Sequence, residues 1–126
     1  MQFYDLENAL TLPLEGICTD KGTNIAFALT VNKPGWYRVT LTASSEQSEL
    51  AQIPVTLFSM GTASGTFTWN GTGGKPVSFT ADVPMFSRFT ANRLYFAQSG
   101  LRMHEIRFEL ISDQFDMAHM GDKPEG

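Results

Sequence analysis

Residues 25–43 read IAFALTV, NKPG, WYRVTLTA, and their pattern decides the fold. In the first run Phe27, Leu29 and Val31 alternate with Ala26, Ala28 and Thr30. In the last, Tyr37, Val39, Leu41 and Ala43 take one phase while Arg38, Thr40 and Thr42 take the other. Successive side chains of a strand point to opposite faces, so bulky apolar residues in one phase predict a strand with one buried face. Pro34 and Gly35 between the runs predict a tight reversal.

The same period spreads outward from this core. Ile53, Val55 and Leu57 share a phase, as do Val77, Phe79, Ala81 and Val83, then Leu94 and Phe96, then Ile106, Phe108 and Leu110. With residues 3–12 at the start and a short Thr-rich run at 66–70, the spacing predicts about eight strands. The small residues 61–65 and the breaker 71–76 read as loops. Evenly spaced strands separated by turn signals predict an all-β antiparallel sandwich or barrel over residues 1–112. No window predicts a long helix. Residues 113–126 lose the alternation and read as a tail or linker, with a short turn around 115–120.

Composition removes several function classes. The net charge is −4, and the nine basic residues are scattered singly. Nucleic-acid binding, which needs clustered cations, is excluded. No apolar run approaches the length of a membrane span, and no membrane partner is expected. Residues 1–10 lack the basic start and apolar run of a signal peptide, and a secreted or cell-surface setting stays open. The single cysteine, Cys18, allows no internal disulfide and reads as a small core filler.

Independent catalysis is not expected. His104 and His119 form no metal-ligand spacing, no nucleophile elbow is present, and the glycines at 71–74 precede a strand rather than a helix. Carboxylates are what remains. Asp5 and Glu7 share a face of the first strand, two residues apart, and Glu105 and Glu109 lie near the last; two carboxylates about 5–10 Å apart could cleave a glycosidic bond. On a solvated sheet they are surface charge.

Recognition needs rings that the core does not claim. A sugar is held by stacking its C–H face on an aromatic ring, with planar polar groups taking the hydroxyls. Trp36 alternates out of phase with Tyr37 and Val39, and Tyr95 out of phase with Leu94 and Phe96. Trp69 stands beside the glycine-rich loop. Asn70, Asn92 and Arg93 are the neighbouring hydrogen-bonding groups. Each ring has a second reading, as a plug beneath a loop. Phe86 and Phe89 share that ambiguity.

Several segments together resemble the galactose-binding-like jelly rolls of carbohydrate-binding modules. Residues 3–9 (FYDLENA) are similar to their opening strand, and 33–41 (KPGWYRVTL) to a strand beginning Pro-Gly. Residues 91–96 (ANRLYF) with 99–108 (SGLRMHEIRF) are similar to their final pair. The resemblance implies a carbohydrate partner and an accessory role beside a glycoside-active protein. It also implies a structural calcium between an early Glu and an Asp before the last strand. Glu7 matches the first position, His104 stands at the second, and Glu105 is the adjacent carboxylate. The family's loop aromatics have no counterpart between Thr11 and Asn24. Two other functions stand beside sugar binding. One is a structural sandwich whose rings meet a neighbouring domain or a second copy. The other is a small glycan-cleaving enzyme using Glu7 or Glu105.

Overall fold

The computed structural model describes residues 2–14, 16–85 and 88–113. They form β1 (Gln2–Leu6), β2 (Ala9–Pro13), β3 (Asn24–Val31), β4 (Gly35–Ser44), β5 (Ile53–Ser59), β6 (Thr62–Trp69), β7 (Val77–Met85), β8 (Phe89–Phe96) and β9 (Arg102–Ser112). Strands in the order β1-β3-β8-β5-β6 make one sheet and β2-β9-β4-β7 the other. The chain changes sheet at nearly every connection, as a jelly roll does. Pairing is antiparallel throughout except that β1 lies parallel to β3.

The alternation predicted from sequence places the core. Val39, Leu41, Ile106 and Phe108 point inward from the four-stranded sheet, and Leu29, Val55, Leu57, Leu94 and Phe96 from the five-stranded one, all without exposed surface. Phe27 and Phe108 meet edge to face between the sheets, 6.0 Å apart. Burying a side chain of this size is worth about 1.5–3 kcal/mol, so the layer between the sheets dominates stability.

Three details differ from the sequence reading. The expected first strand is two strands, β1 and β2, in different sheets. Leu6 closes one and Leu12 lies in the other, both buried. Tyr4, Leu6, Leu10, Leu12 and Leu14 keep one phase straight through the crossover, so periodicity hides the break. The reversal at Asn32–Pro34 likewise joins the two sheets rather than a hairpin, because β3 and β4 belong to opposite layers. The small residues at 62–65 belong to β6. The turn before it is Met60-Gly61, both left-handed at φ 53° and 80°, the geometry of a two-residue hairpin. The tail expected from 113, with its turn at 115–120, lies outside the described residues from 114 onward, as do Phe86 and His119.

Where β1 hands over to β2, Tyr37 fastens the crossover. Its buried hydroxyl lies 3.0 Å from the Glu7 carbonyl and within hydrogen-bond reach of the Lys33 carbonyl. Burial pushes the phenol pKa up, and the negative charge of Glu7 adds to the effect. At the opposite end of the sandwich the loops knit together through side chains. The Thr72 hydroxyl accepts from Ser45 N and donates to the Ser45 carbonyl, and Gly71 N donates to Ser48 O.

Candidate functional site

The outer face of the five-stranded sheet carries rings and polar groups together. On β8 the phase opposite to Leu94 and Phe96 holds Arg93 and Tyr95. Across the ladders Arg93 faces Phe58 of β5 and Ala26 of β3, and Tyr95 faces Thr56 and Asn24. The Arg93 guanidinium sits over the Phe58 ring, 4.0 Å from its centre, and its Nη1 donates to Asn24 Oδ1 at 2.9 Å. Ala26 and Ala91 are short, so the sheet dips between the longer side chains. The result is a groove of about 300 Å³ lined by Ala26, Phe58, Met60, Gly61, Ala91, Asn92 and Arg93. Tyr95 stands half-buried two residues beyond Arg93 on the same face of β8, between Asn24 and Thr56. Along the same face Phe3, Ala28 and Ala91 continue into Met60, with Phe3 72% and Met60 59% exposed.

Of the predicted binding residues, Arg93 and Tyr95 extend from this face, Asn92 borders the groove with its amide turned inward, and the others lie elsewhere. Trp69 is fully enclosed, its Nε1–H donating to Val77 O at 3.0 Å and its ring meeting Phe67 and Phe79. It shares the inward phase of Phe67, so it is a core ring. Trp36 lies in the outward phase at the start of β4, yet only 6% of it is exposed, too little for a sugar to stack on. Asn92 is in phase with Leu94 and points inward, where it bonds the Ser59 hydroxyl and donates to Thr90. Asn70 is exposed at the end of β6 and donates to Ala51 O. It stands four residues beyond Thr66, the residue in register with Thr56, hence about 13 Å along the strand from the Tyr95 row.

Glu7 and Glu105 do not converge. Asn8, next to Glu7, pairs with Leu110, whereas Glu105 faces Pro13 five residues along β9, roughly 16 Å away. One calcium holds its oxygens at about 2.3–2.6 Å, and a hydrolytic pair needs about 5–10 Å, so neither role fits these two residues together. Among the described residues no three His, Cys, Asp or Glu side chains cluster to hold a metal.

A second concavity of about 600 Å³ opens between the loops at one end, lined by Thr19, Asp20, Ser44, Glu46, Gln47, Arg102 and His104 among others. There Ser44 Oγ and His104 Nε2 are 2.9 Å apart. The lining is mixed, polar groups alternating with Leu101 and Cys18, and it includes no Phe, Tyr or Trp on which a sugar could stack. Cys18 lies exposed at this rim rather than in the core, beside the exposed Ile17. Sequence reasoning missed Phe58, Asn24 and Met60 of the sheet-face groove. Phe58 had a signal: it is out of phase with Leu57 just as Tyr95 is with Leu94. Asn24 and Met60 had none, since only strand order brings them beside Arg93.

No protein-family profile matches the chain. It is 54% identical over 107 residues to a "Beta-glucosidase" of Ruminococcus albus, an alignment covering 84% of this chain and 11% of that enzyme. The chain thus spans about a tenth of the length of the curated relative that it matches. Among solved structures it is similar to the CBM36-1 domain of a multidomain xylanase from the hindgut metagenome of Trinervitermes trinervoides. The TM-score is 0.69 at 15% identity, covering 83% of this chain and 99% of that one. It is also similar to a carbohydrate-binding module, CBM36, in complex with calcium and xylotriose. There the TM-score is 0.64 at 12% identity, covering 79% and 88%. At such identities these likenesses establish the jelly-roll fold.

Proposed function

We propose that this chain is a non-catalytic carbohydrate-binding module serving a glycoside-active protein, and that it binds sugar on the outer face of its five-stranded sheet. One juxtaposition carries the reading: Tyr95, Arg93 and Phe58 share that face on adjacent strands, with Asn24 bonded to Arg93. A ring offers a pyranose its apolar platform, and the amide and guanidinium supply donors in fixed directions. The likeness to a stretch of a β-glucosidase supports the accessory role. The separation of Glu7 from Glu105 speaks against hydrolysis by that pair.

Native affinity gels loaded with soluble β-glucan, xylan or glucomannan test the reading. Retardation by at least one polysaccharide is expected, with Tyr95→Ala losing most of it at an unchanged thermal midpoint. Migration unaffected by every polysaccharide, with no response to millimolar oligosaccharides in titration calorimetry, would remove the proposal. A related solved module holds calcium with its sugar. Since Glu7 and Glu105 cannot share an ion here, retardation is expected to survive EDTA.

A second reading rests on Phe3 and Met60, exposed at the two ends of a row that runs through the buried Ala28 and the half-buried Ala91. Exposed apolar surface of this kind suits a neighbouring domain or another copy of the chain. Sedimentation of the isolated domain tests the latter, with Phe3→Ser expected to abolish any self-association.

A further inference from the structure

Arg93 holds an unusual position for a cation. It stands on β8, the middle strand of its sheet, beside a groove whose remaining lining is mostly apolar, with Asn92 the other polar residue. Its contacts are the Phe58 ring and the neutral Asn24 amide, and among the described residues no carboxylate pairs with it. Of the outward residues on these five strands, Asp5 is the one acid. It sits two strands away and four positions along from Arg93, about 16 Å. At physiological salt that exceeds the screening length of about 8 Å. The turn before Asn24 carries Asp20 and Lys21, one charge of each sign.

A guanidinium uses its five N–H donors in a planar fork that fits a carboxylate in two parallel bonds. Here the fork is held from below by the Phe58 ring and from one side by Asn24, so its rotamer is ordered before a ligand arrives. An ordered, part-desolvated cation loses hydration, and among the described residues it regains one ring contact and one neutral hydrogen bond but no counter-charge. A carboxylate from the ligand would restore that balance. A hydroxyl would do so only in part, because a charge-assisted hydrogen bond is roughly twice as strong as a neutral one.

We infer that the groove selects an acidic saccharide, a uronic-acid residue whose carboxylate takes the free donors of Arg93 while its ring lies toward Tyr95. This rests on the reading of the sheet face as the sugar site and names the ligand class for it. At about 300 Å³ the groove is sized for one sugar residue rather than a long chain.

The test compares each acidic polysaccharide with its own carboxyl-reduced form, which keeps the backbone and removes the charge. Polygalacturonate and glucuronoxylan are run in affinity gels beside their reduced counterparts, with wild type, Arg93→Gln and Tyr95→Ala. Wild type is expected to bind at least one acidic form about tenfold more tightly than its reduced form, a preference that shrinks in 0.5 M NaCl. Arg93→Gln should bind both forms alike, at or below the wild-type level for the reduced polymer, with a thermal midpoint lowered by a few degrees through loss of the Phe58 stack. Tyr95→Ala should lose both. Equal binding of acidic and reduced forms by wild type would overturn the inference and leave the sugar site standing. A preference that persists in Arg93→Gln would overturn it too, by placing the carboxylate elsewhere. No binding of any polymer, neutral ones included, would take down the inference and the sugar site together.

Discussion

Arg93 and Phe58, 35 residues apart in the chain and on adjacent strands, are stacked with the guanidinium carbon 4.0 Å from the ring centre. The contact joins the candidate ligand site to sheet stability, and it should be measurable as a coupling. A double-mutant cycle of Phe58→Leu and Arg93→Ala in urea unfolding should return about 0.5–1 kcal/mol between the two side chains, the usual range for a part-exposed cation over a ring. Strict additivity would mean the stack does not hold in solution.

Tryptophan emission should be silent to sugar. Trp69 has no exposed surface and Trp36 has 6%, so both indoles should emit at short wavelength and resist iodide quenching. Adding a binding glycan should leave the spectrum unchanged. A red shift or quench on binding would place a tryptophan in the site after all. Trp69→Ala should cost about 3–5 kcal/mol, the range for emptying a large core position.

The Tyr37 hydroxyl predicts an alkaline limit to stability. Its pKa is raised in the folded state, first by burial and then by Glu7. A raised pKa means the native state holds the proton more tightly than the unfolded chain. The resulting stability is whole below the unfolded value of about 10 and is lost as pH climbs from there through the folded value. Tyr37→Phe should therefore be less stable by about 1 kcal/mol at pH 7, where it lacks the hydrogen bond, yet fall less steeply above pH 10. Urea melts across pH 7–11 would show the two curves converging. Parallel curves would refute the assignment.

Gly71 marks where two loops touch. A Cβ there would lie 1.9 Å from the Gln47 carbonyl oxygen and 2.6 Å from that of Ser48. Gly71→Ala must push backbone aside, and should lower stability by about 1–3 kcal/mol. Gly73→Ala is the comparison: nothing lies within 4 Å of its would-be Cβ, but its φ of 64° makes any side chain strained. A smaller loss is expected there, about 1 kcal/mol. Thermal melts of both variants check the order.

How far the binding face could be read in advance is clear from three residues. Tyr95 was legible because its phase opposes Leu94 and Phe96, and a strand has only two sides. Phe58 obeyed the same rule and could have been selected with it. Trp36 obeyed it as well and is nonetheless buried, because phase assigns a side of a sheet and not the amount of water reaching it. Asn92 shows the converse: its phase put it inside, where a small polar network accommodates it.

Alternation by itself determined that this chain folds as stacked sheets, since period two is a property of each strand alone and survives whatever the strand pairs with. It also determined most of the core from Phe27 to Phe108, though Val77 and Phe79, in phase with the buried Val83, stay more than a third exposed. Strand order belonged to the tertiary structure. Placing β8 between β3 and β5 puts Arg93 on Phe58 and beside Asn24, and the crossover at Glu7 and Asn8 sends β1 and β2 to opposite layers. Both depend on contacts between residues distant in sequence, and a pattern of period two carries no record of which strand lies next to which.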